Sequence, residues 1–217
     1  MKLGLLGVAT FAAVLMVAVF LVTVTAAEPN APVIVVLGDS LAAGLGLPQD
    51  QAFPAQLEKA LRAKGHDVTI TNAGVSGDTA SAGLARLDWA VPPEANAVIV
   101  ELGANDALQG LPPEATKKVL EEILKRLQAK GLPVLLAGME APRNMGRDYV
   151  DQFSAIYRDL AARYNVVVYP FFLEGIVGDP NLFQGDGLHP NAQGVTKIVD
   201  GIMPKVEELL ARIPARN

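Results

Sequence analysis

Two polar segments far apart in the chain contain residue types suited to nucleophilic catalysis. Gly38-Asp39-Ser40-Leu41 follows an apolar run at 33–37, and Asp186-Gly187-Leu188-His189 lies near the carboxyl end. A serine hydroxyl is a weak nucleophile until a base accepts its proton, and a histidine held by a carboxylate is the usual base. The chain has two histidines, and His66 lies in a polar segment typical of an exposed turn. The favoured couple is therefore Ser40 with His189.

The spacing within the second segment favours a carboxylate–histidine pair. Asp186 precedes His189 by three residues, and Gly187 between them permits a tight turn. Such a turn would bring the carboxylate to Nδ1 of the imidazole and leave Nε2 free to face Ser40. An alternative is that Asp186 and His189 only cap a helix that begins near Asn191, because aspartate is a favoured capping residue.

Two further segments offer hydrogen-bond donors for an oxyanion. Residues 72–78 follow the second predicted strand and contain Gly77, whose backbone N–H is free to point into a site. Residues 103–106 follow the third predicted strand and contain Asn105, whose side-chain amide can donate another hydrogen bond. Each segment alone is equally typical of an ordinary glycine-containing turn. Together with Ser40 and His189 they favour an acyl-transfer site.

The elements that must position these residues alternate along the chain. Short apolar runs typical of buried strands are separated by longer segments of helical period, which predicts an α/β fold with a mostly parallel sheet. Parallel strands place the segments that follow them at one edge of the sheet, where ligands bind. Asp78 is predicted to cap the second helix. The predicted strands lie at 33–37, 68–71, 97–101, 134–137 and 166–169, and the predicted helices at about 52–64, 78–89, 113–130, 148–164 and 192–212.

Composition limits the possible functions. With 217 residues, of which 51% are apolar, the chain suffices for one well-buried domain, predicted at 31–213. The absence of cysteine excludes disulfides, thiolate nucleophiles and cysteine-based zinc sites. Two histidines are a poor ligand set, so a metal-dependent hydrolase is disfavoured and no metal or other cofactor is expected.

The amino-terminal residues indicate export. After Lys2 no charged residue occurs before Glu28, and a strongly apolar stretch ends at the small residues Ala26 and Ala27. This pattern predicts a secretory signal at 1–27 and a periplasmic or secreted protein. The stretch approaches the length of a membrane span, so a retained anchor is the alternative, and no stable membrane partner is expected without it. The remainder has 17 basic and 23 acidic residues, a formal charge of −6, which disfavours nucleic acid as a partner.

Four blocks of the sequence resemble the signature blocks of the SGNH (GDSL) hydrolase family in order and spacing. They are the segments that contain Ser40, Gly77 and Asn105, together with 186–189. Further similarity at 76–79, 83–87 and 100–103 resembles the exported bacterial arylesterase, acyl-CoA thioesterase and lysophospholipase group. The resemblance covers roughly residues 33–208.

The resemblance implies a role for each block. Ser40 would be the nucleophile, His189 the base and Asp186 its orienting carboxylate. The backbone N–H groups of Ser40 and Gly77 and the side chain of Asn105 would form the oxyanion hole. The implied fold is a three-layer α/β/α, flavodoxin-like arrangement with a five-stranded, mainly parallel sheet. It agrees with the strands and helices predicted above.

The predicted substrate is a small-molecule carboxylic ester or thioester. Four leucines near the blocks, Leu41, Leu108, Leu111 and Leu188, are expected to line an acyl groove, although many such residues pack in cores or loops. A carbohydrate O-deacetylase would use the same site residues and is the main alternative. A nucleotide-binding module is disfavoured because the glycines after the first strand do not follow G-x-G-x-x-G and no G-K-[ST] occurs. A non-catalytic relative would be expected to lack a site residue, and none is missing.

Overall fold

The fold is built on five parallel strands in the order β2-β1-β3-β4-β5. A computed structural model describes residues 31–214. The strands are β1 (Val33–Gly38), β2 (Thr69–Gly74), β3 (Ala97–Glu101), β4 (Val134–Ala137) and β5 (Val167–Tyr169). All four neighbouring pairs run parallel, and β1 lies between β2 and β3 in register. The parallel sheet predicted from the apolar runs is confirmed.

The helices follow the predicted alternation with the strands. Four of them, α2, α6, α7 and α8, each match one predicted segment, and α3 and α4 together occupy the fifth. Two short helices, α1 and α5, were not predicted. The helices are α1 (Ser40–Ala43), α2 (Phe53–Ala63), α3 (Ala80–Ala85), α4 (Leu87–Ala90), α5 (Ala104–Leu108), α6 (Pro113–Ala129), α7 (Arg147–Tyr164) and α8 (Ala192–Leu210).

Helices cover both faces of the sheet. Helix α2 packs against α8 on one face, while α6 packs against both α3 and α7 on the other. Strands β3 and β4 are buried along their whole length, as expected for central parallel strands covered on both sides. The three-layer α/β/α architecture implied by the family resemblance is therefore confirmed.

One predicted element differs from the structure. The helix predicted at 78–89 is divided at Arg86, which ends α3 and precedes α4 with φ −105° and ψ 3°. The prediction that Asp78 caps this helix is wrong. Thr79 is the N-cap, and its hydroxyl accepts a hydrogen bond from the N–H of Ala82. The Asp78 carboxylate instead accepts a hydrogen bond from Arg86, a residue that single-sequence periodicity cannot place near it.

The strand order places two of the predicted site segments side by side. The chain leaves β1 toward β2 on one side and returns to β3 on the other, so the order reverses between β1 and β3. In such sheets the crevice beyond the carboxyl ends of the strands at the reversal is where ligands bind. Ser40 follows β1 and Asn105 follows β3. The topology therefore brings the two segments to one crevice.

The predicted signal or anchor at 1–27 lies outside the described residues. Among residues 31–214, none of the helices combines the length and apolar character needed to cross a membrane.

Candidate active site

Ser40 lies at the start of a single helical turn at the end of β1. Asp39 caps this turn, and its carboxylate Oδ1 accepts a hydrogen bond of 2.9 Å from the N–H of Leu41. Gly44 ends the turn in the left-handed conformation, at φ 79°, which glycine adopts without strain. The turn directs the chain back against the sheet edge, and Ser40 is only 9% exposed.

A continuous hydrogen-bond chain joins the predicted nucleophile, base and carboxylate. Ser40 Oγ lies 2.9 Å from His189 Nε2, and His189 Nδ1 lies 2.6 Å from Asp186 Oδ2. This geometry requires Nδ1 to bear a proton for Asp186, which leaves Nε2 to accept the proton of Ser40. The structure thus brings together all three residues, although Ser40 and His189 are 149 positions apart.

The loop at 186–189, called the base loop here, is folded on itself around Asp186. Asp186 Oδ1 accepts hydrogen bonds from the backbone N–H of Leu188 (2.9 Å) and of His189 (3.0 Å). Gly187 adopts φ 69°, as the tight turn requires. These bonds, with that from the His189 side chain, hold the pKa of Asp186 well below its usual range, so it stays ionised in mild acid. Helix α8 is capped by Asn191 instead, so neither Asp186 nor His189 is its N-cap.

Gln184 ties the base loop to the segment that follows the nucleophile. Its Nε2 donates to the carbonyl oxygens of Leu45 (2.7 Å) and Pro190 (3.0 Å), and its backbone N–H donates to the carbonyl of His189 (2.8 Å). Sequence reasoning missed Gln184 because its contact with Leu45 spans 139 positions.

Hydrogen bonds of Asn105 join the segments that contain the predicted oxyanion donors. Within residues 31–214 the backbone N–H groups of Ser40 and Gly77 donate no hydrogen bond. The Asn105 amide Nδ2 donates to the carbonyl of Asp78 at 3.0 Å and to Asp39 Oδ2 at 3.2 Å. Asn105 is therefore held beside the residue that follows Gly77 and the residue that precedes Ser40.

Two buried carboxylates lie beneath the nucleophile. Burial raises the pKa of Asp39 to about 6 and holds the pKa of Glu101 well above its usual range, and the nearby Asp39 carboxylate raises the pKa of Glu101 further. Glu101 Oε2 accepts a hydrogen bond of 3.2 Å from the N–H of Asp39. The spacing of these residues gave no signal of their contact, since 62 positions separate them.

An apolar cavity of about 280 Å³ opens at Ser40 and His189. Three of the four predicted groove leucines, Leu41, Leu108 and Leu188, line it. Leu111 does not: its carbonyl accepts a hydrogen bond from the Tyr149 hydroxyl and its N–H donates to the carbonyl of Asp106. A second cavity of about 780 Å³ adjoins the first. The two share the lining residues Glu140, Pro142, Phe171, Leu173 and Leu188.

Comparison with known proteins assigns the chain to a family. Residues 36–197 match the model of the GDSL-like Lipase/Acylhydrolase family. The chain belongs to this family. The predicted family and hydrolase class are therefore confirmed.

Two curated relatives and one solved structure match most of the chain. "Esterase TesA" of Pseudomonas aeruginosa is 38% identical over 184 residues, which is 84% of this chain and 92% of that protein. "Thioesterase 1/protease 1/lysophospholipase L1" of Escherichia coli strain K12 is 38% identical over 192 residues, 88% of this chain and 91% of that protein. The crystal structure of AlinE4, an SGNH-hydrolase family esterase, superposes with a TM-score of 0.71 at 43% identity, covering 87% of this chain and 100% of AlinE4.

Proposed function

We propose that this GDSL hydrolase cleaves carboxylic esters and thioesters through an acyl-enzyme on Ser40. The observation that supports this most strongly is the hydrogen-bond chain from Ser40 Oγ through His189 to Asp186. In this proposal Ser40 is the nucleophile, His189 the general base and Asp186 the carboxylate that orients the imidazole. No metal or other cofactor takes part in these steps.

The proposed reaction has two halves. In the first, Ser40 Oγ attacks the substrate carbonyl carbon while its proton passes to His189 Nε2. When the tetrahedral intermediate collapses, the bond to the leaving alcohol or thiol breaks, and His189 donates the proton to that group. In the second half, His189 accepts a proton from water, the resulting hydroxide attacks the acyl carbon, and Ser40 regains its proton as the acid departs.

Three donors are proposed to stabilise the oxyanion of each tetrahedral intermediate. The N–H groups of Ser40 and Gly77 are free to donate, which supports this role. The Asn105 amide holds its longer hydrogen bond, 3.2 Å, to Asp39 Oδ2. An oxyanion bound beside Ser40 would take over this bond while the bond to Asp78 keeps the amide in place.

The cavity supports an acyl chain as the group bound next to Ser40. Leu41, Leu108 and Leu188 present apolar surface directly beside the nucleophile, and such a lining favours hydrocarbon over a sugar. The printed names of the relatives, an esterase and a thioesterase/lysophospholipase, agree with this class. We propose small-molecule substrates such as aryl esters, short-to-medium acyl esters, acyl-CoA or lysophospholipids.

The proposed location is the periplasm or the exterior of the cell. The apolar segment at 1–27 supports export, and residues 31–213 would form the single catalytic domain. The intact mass of the protein recovered from the expressing cells tests this: a chain beginning at Ala27 or Glu28 is expected, and one that retains Met1 would contradict cleavage.

Initial rates on a substrate panel test the proposal. The panel contains p-nitrophenyl esters of increasing chain length, acyl-CoA thioesters, a lysophospholipid and acetylated sugars. We expect turnover of acyl esters or thioesters that is lost in Ser40→Ala, with the circular dichroism of the variant unchanged. Retained turnover in Ser40→Ala would contradict the mechanism. Turnover of acetylated sugars alone would contradict the substrate class and favour an O-deacetylase.

A further inference from the structure

Arg86 is a buried cation next to the proposed oxyanion hole. It lies at the junction of α3 and α4 and is 7% exposed. Its Nε donates to Asp78 Oδ2 at 2.6 Å, and its Nη2 donates to the carbonyl oxygen of Gly38 at 2.9 Å. A single guanidinium therefore contacts two residues that are 40 positions apart in the sequence. Gly38 lies two residues before Ser40, and Asp78 directly follows Gly77.

The first contact holds the turn that contains Gly77. The N–H of Asp78 donates to the carbonyl of Val75 at 3.1 Å, which closes a four-residue turn with Gly77 at its third position and at φ 89°. This conformation is typical of a type II turn, and glycine is preferred at that position. Arg86 binds the side chain of Asp78, the residue directly after Gly77, and so fixes the end of the turn.

The second contact ties this turn to the strand that leads to Ser40. The carbonyl of Gly38, the last residue of β1, accepts hydrogen bonds from Arg86 Nη2 and from the N–H of Val75 (3.0 Å). The beginning of the Gly77 turn and the guanidinium thus share one acceptor, two residues before Ser40. A displacement of Arg86 would change the distance between the N–H groups of Ser40 and Gly77.

The third proposed donor depends on the same residues. Asn105 Nδ2 donates to the backbone carbonyl of Asp78 at 3.0 Å. Asp78 therefore contacts Arg86 with its side chain and Asn105 with its backbone. All three proposed donors are joined to Arg86 through Gly38 or Asp78.

Stability alone gives a poor account of this ion pair. The side chains of Arg86 and Asp78 are 8% and 12% exposed, and desolvation at such depth offsets much of their attraction. Within the described residues Arg86 Nη1 is also buried without a hydrogen-bond partner, which is unfavourable. A buried pair of this kind is better explained by the geometry that it imposes on its surroundings.

We propose that Arg86 is a positioning residue that sets the spacing of the three oxyanion donors, a role that rests on the proposed function of Ser40, Gly77 and Asn105. Because lysine has one compact ammonium group and no planar fork, it cannot bind Asp78 and Gly38 in the same arrangement. The positioning role therefore requires the planar guanidinium, and a positive charge at this position is not sufficient.

The test compares Arg86→Lys and Arg86→Met with a matched arginine at the opposite edge of the sheet. Arg62 also donates one hydrogen bond to a carbonyl (Val68, 3.1 Å) and pairs with one carboxylate (Glu58, 3.1 Å). Steady-state kinetics on a soluble ester are measured for the four proteins Arg86→Lys, Arg86→Met, Arg62→Met and wild type. Binding of an alkyl trifluoromethyl ketone, which forms an oxyanion on the serine, is measured for each as well.

We expect kcat to fall about tenfold in Arg86→Lys and about 10²-fold in Arg86→Met, with KM within about threefold of wild type. Affinity for the trifluoromethyl ketone should fall in proportion to kcat/KM, whereas Arg62→Met should change neither quantity. If Arg86→Met does not fold, Arg86→Lys alone decides.

A folded Arg86→Lys with kcat within about threefold of wild type, or with unchanged ketone affinity, would overturn the role of Arg86. If Ser40→Ala keeps the ester turnover of wild type, the proposed function itself is overturned.

Discussion

The two halves of the proposed active site are built in opposite ways. On the base side, the hydrogen bonds to the Asp186 carboxylate within residues 31–214 all come from Leu188 and His189, at most three positions away. The Asp186 side chain is 45% exposed. On the oxyanion side, Asn105 contacts Asp39 and Asp78 across 66 and 27 positions. Asp39 and Asp78 are both buried. The base must exchange protons with substrate and water, so a local, solvent-accessible loop suits it. Oxyanion donors must not move as charge develops, so a buried long-range network suits them.

The largest expected effect tests the local, exposed half. Asp186→Asn keeps the size of the side chain but removes the acceptor that fixes the His189 tautomer. We expect kcat to fall on the order of 10³- to 10⁴-fold with KM little changed, measured by steady-state ester hydrolysis. Asp159→Asn, which removes an exposed carboxylate paired with Lys117, is the matched control and should leave kcat unchanged. If Asp186→Asn lost less than about tenfold, the carboxylate would not orient the base.

The next effect tests the buried half. Asn105→Ala removes one of three proposed donors and leaves Ser40, His189 and Asp186 in place. We therefore expect kcat to fall on the order of 10²- to 10³-fold. Asn72→Ala is the control, because the Asn72 side chain is exposed and accepts a hydrogen bond from the nearby Gly74 N–H. A loss below about tenfold in Asn105→Ala would remove Asn105 from the oxyanion hole.

The contrast in burial also predicts how stability depends on pH. Burial raises the pKa of Asp39 from 3.8 to about 6, so the native state keeps a proton that the unfolded chain has already lost. The free energy of unfolding should therefore fall as the pH rises from about 4 to about 6, by on the order of 3 kcal/mol from this group.

Urea unfolding of wild type and Asp39→Asn over this pH range measures the effect. The stability of wild type relative to the variant should decrease between about pH 4 and about pH 6 and then remain level. Because Asp39 also raises the pKa of Glu101, the difference between the two proteins includes the change in Glu101 titration. A difference that does not change with pH would contradict the raised pKa of Asp39.

The smallest effect concerns the acyl cavity that lies between the two halves. Leu188 lines this cavity but is 54% exposed, so Leu188→Ala should reduce kcat/KM for a medium-chain ester only about fivefold and leave the acetyl ester nearly unchanged. Leu111→Ala makes the same substitution outside the cavity and should alter neither. Equal effects of the two substitutions on chain-length preference would contradict the proposed acyl site.

The sequence predicted the local contacts of the site but not the long-range contacts of the buried side. The Asp186–His189 pair is local, so its spacing alone indicated a carboxylate–histidine turn. The strand ends at Ser40 and Asn105 were predictable from the apolar runs that precede them. The contacts of Arg86, Asp39 and Gln184 were not, because each joins segments that only the folded sheet brings together. Asp78 was predicted to be a cap for this reason: its nearest helix is visible in the sequence, whereas its buried partner is not.

The most direct test of the account is the site of covalent modification by a fluorophosphonate, which phosphonylates an activated serine. After reaction and digestion, mass spectrometry should locate one adduct on Ser40, and its formation should parallel the loss of ester hydrolysis. Asp186→Asn should react far more slowly. An active protein that remains unmodified, or an adduct on Ser76, Ser81 or Ser154 with hydrolysis lost, would contradict the assignment of Ser40 as the nucleophile.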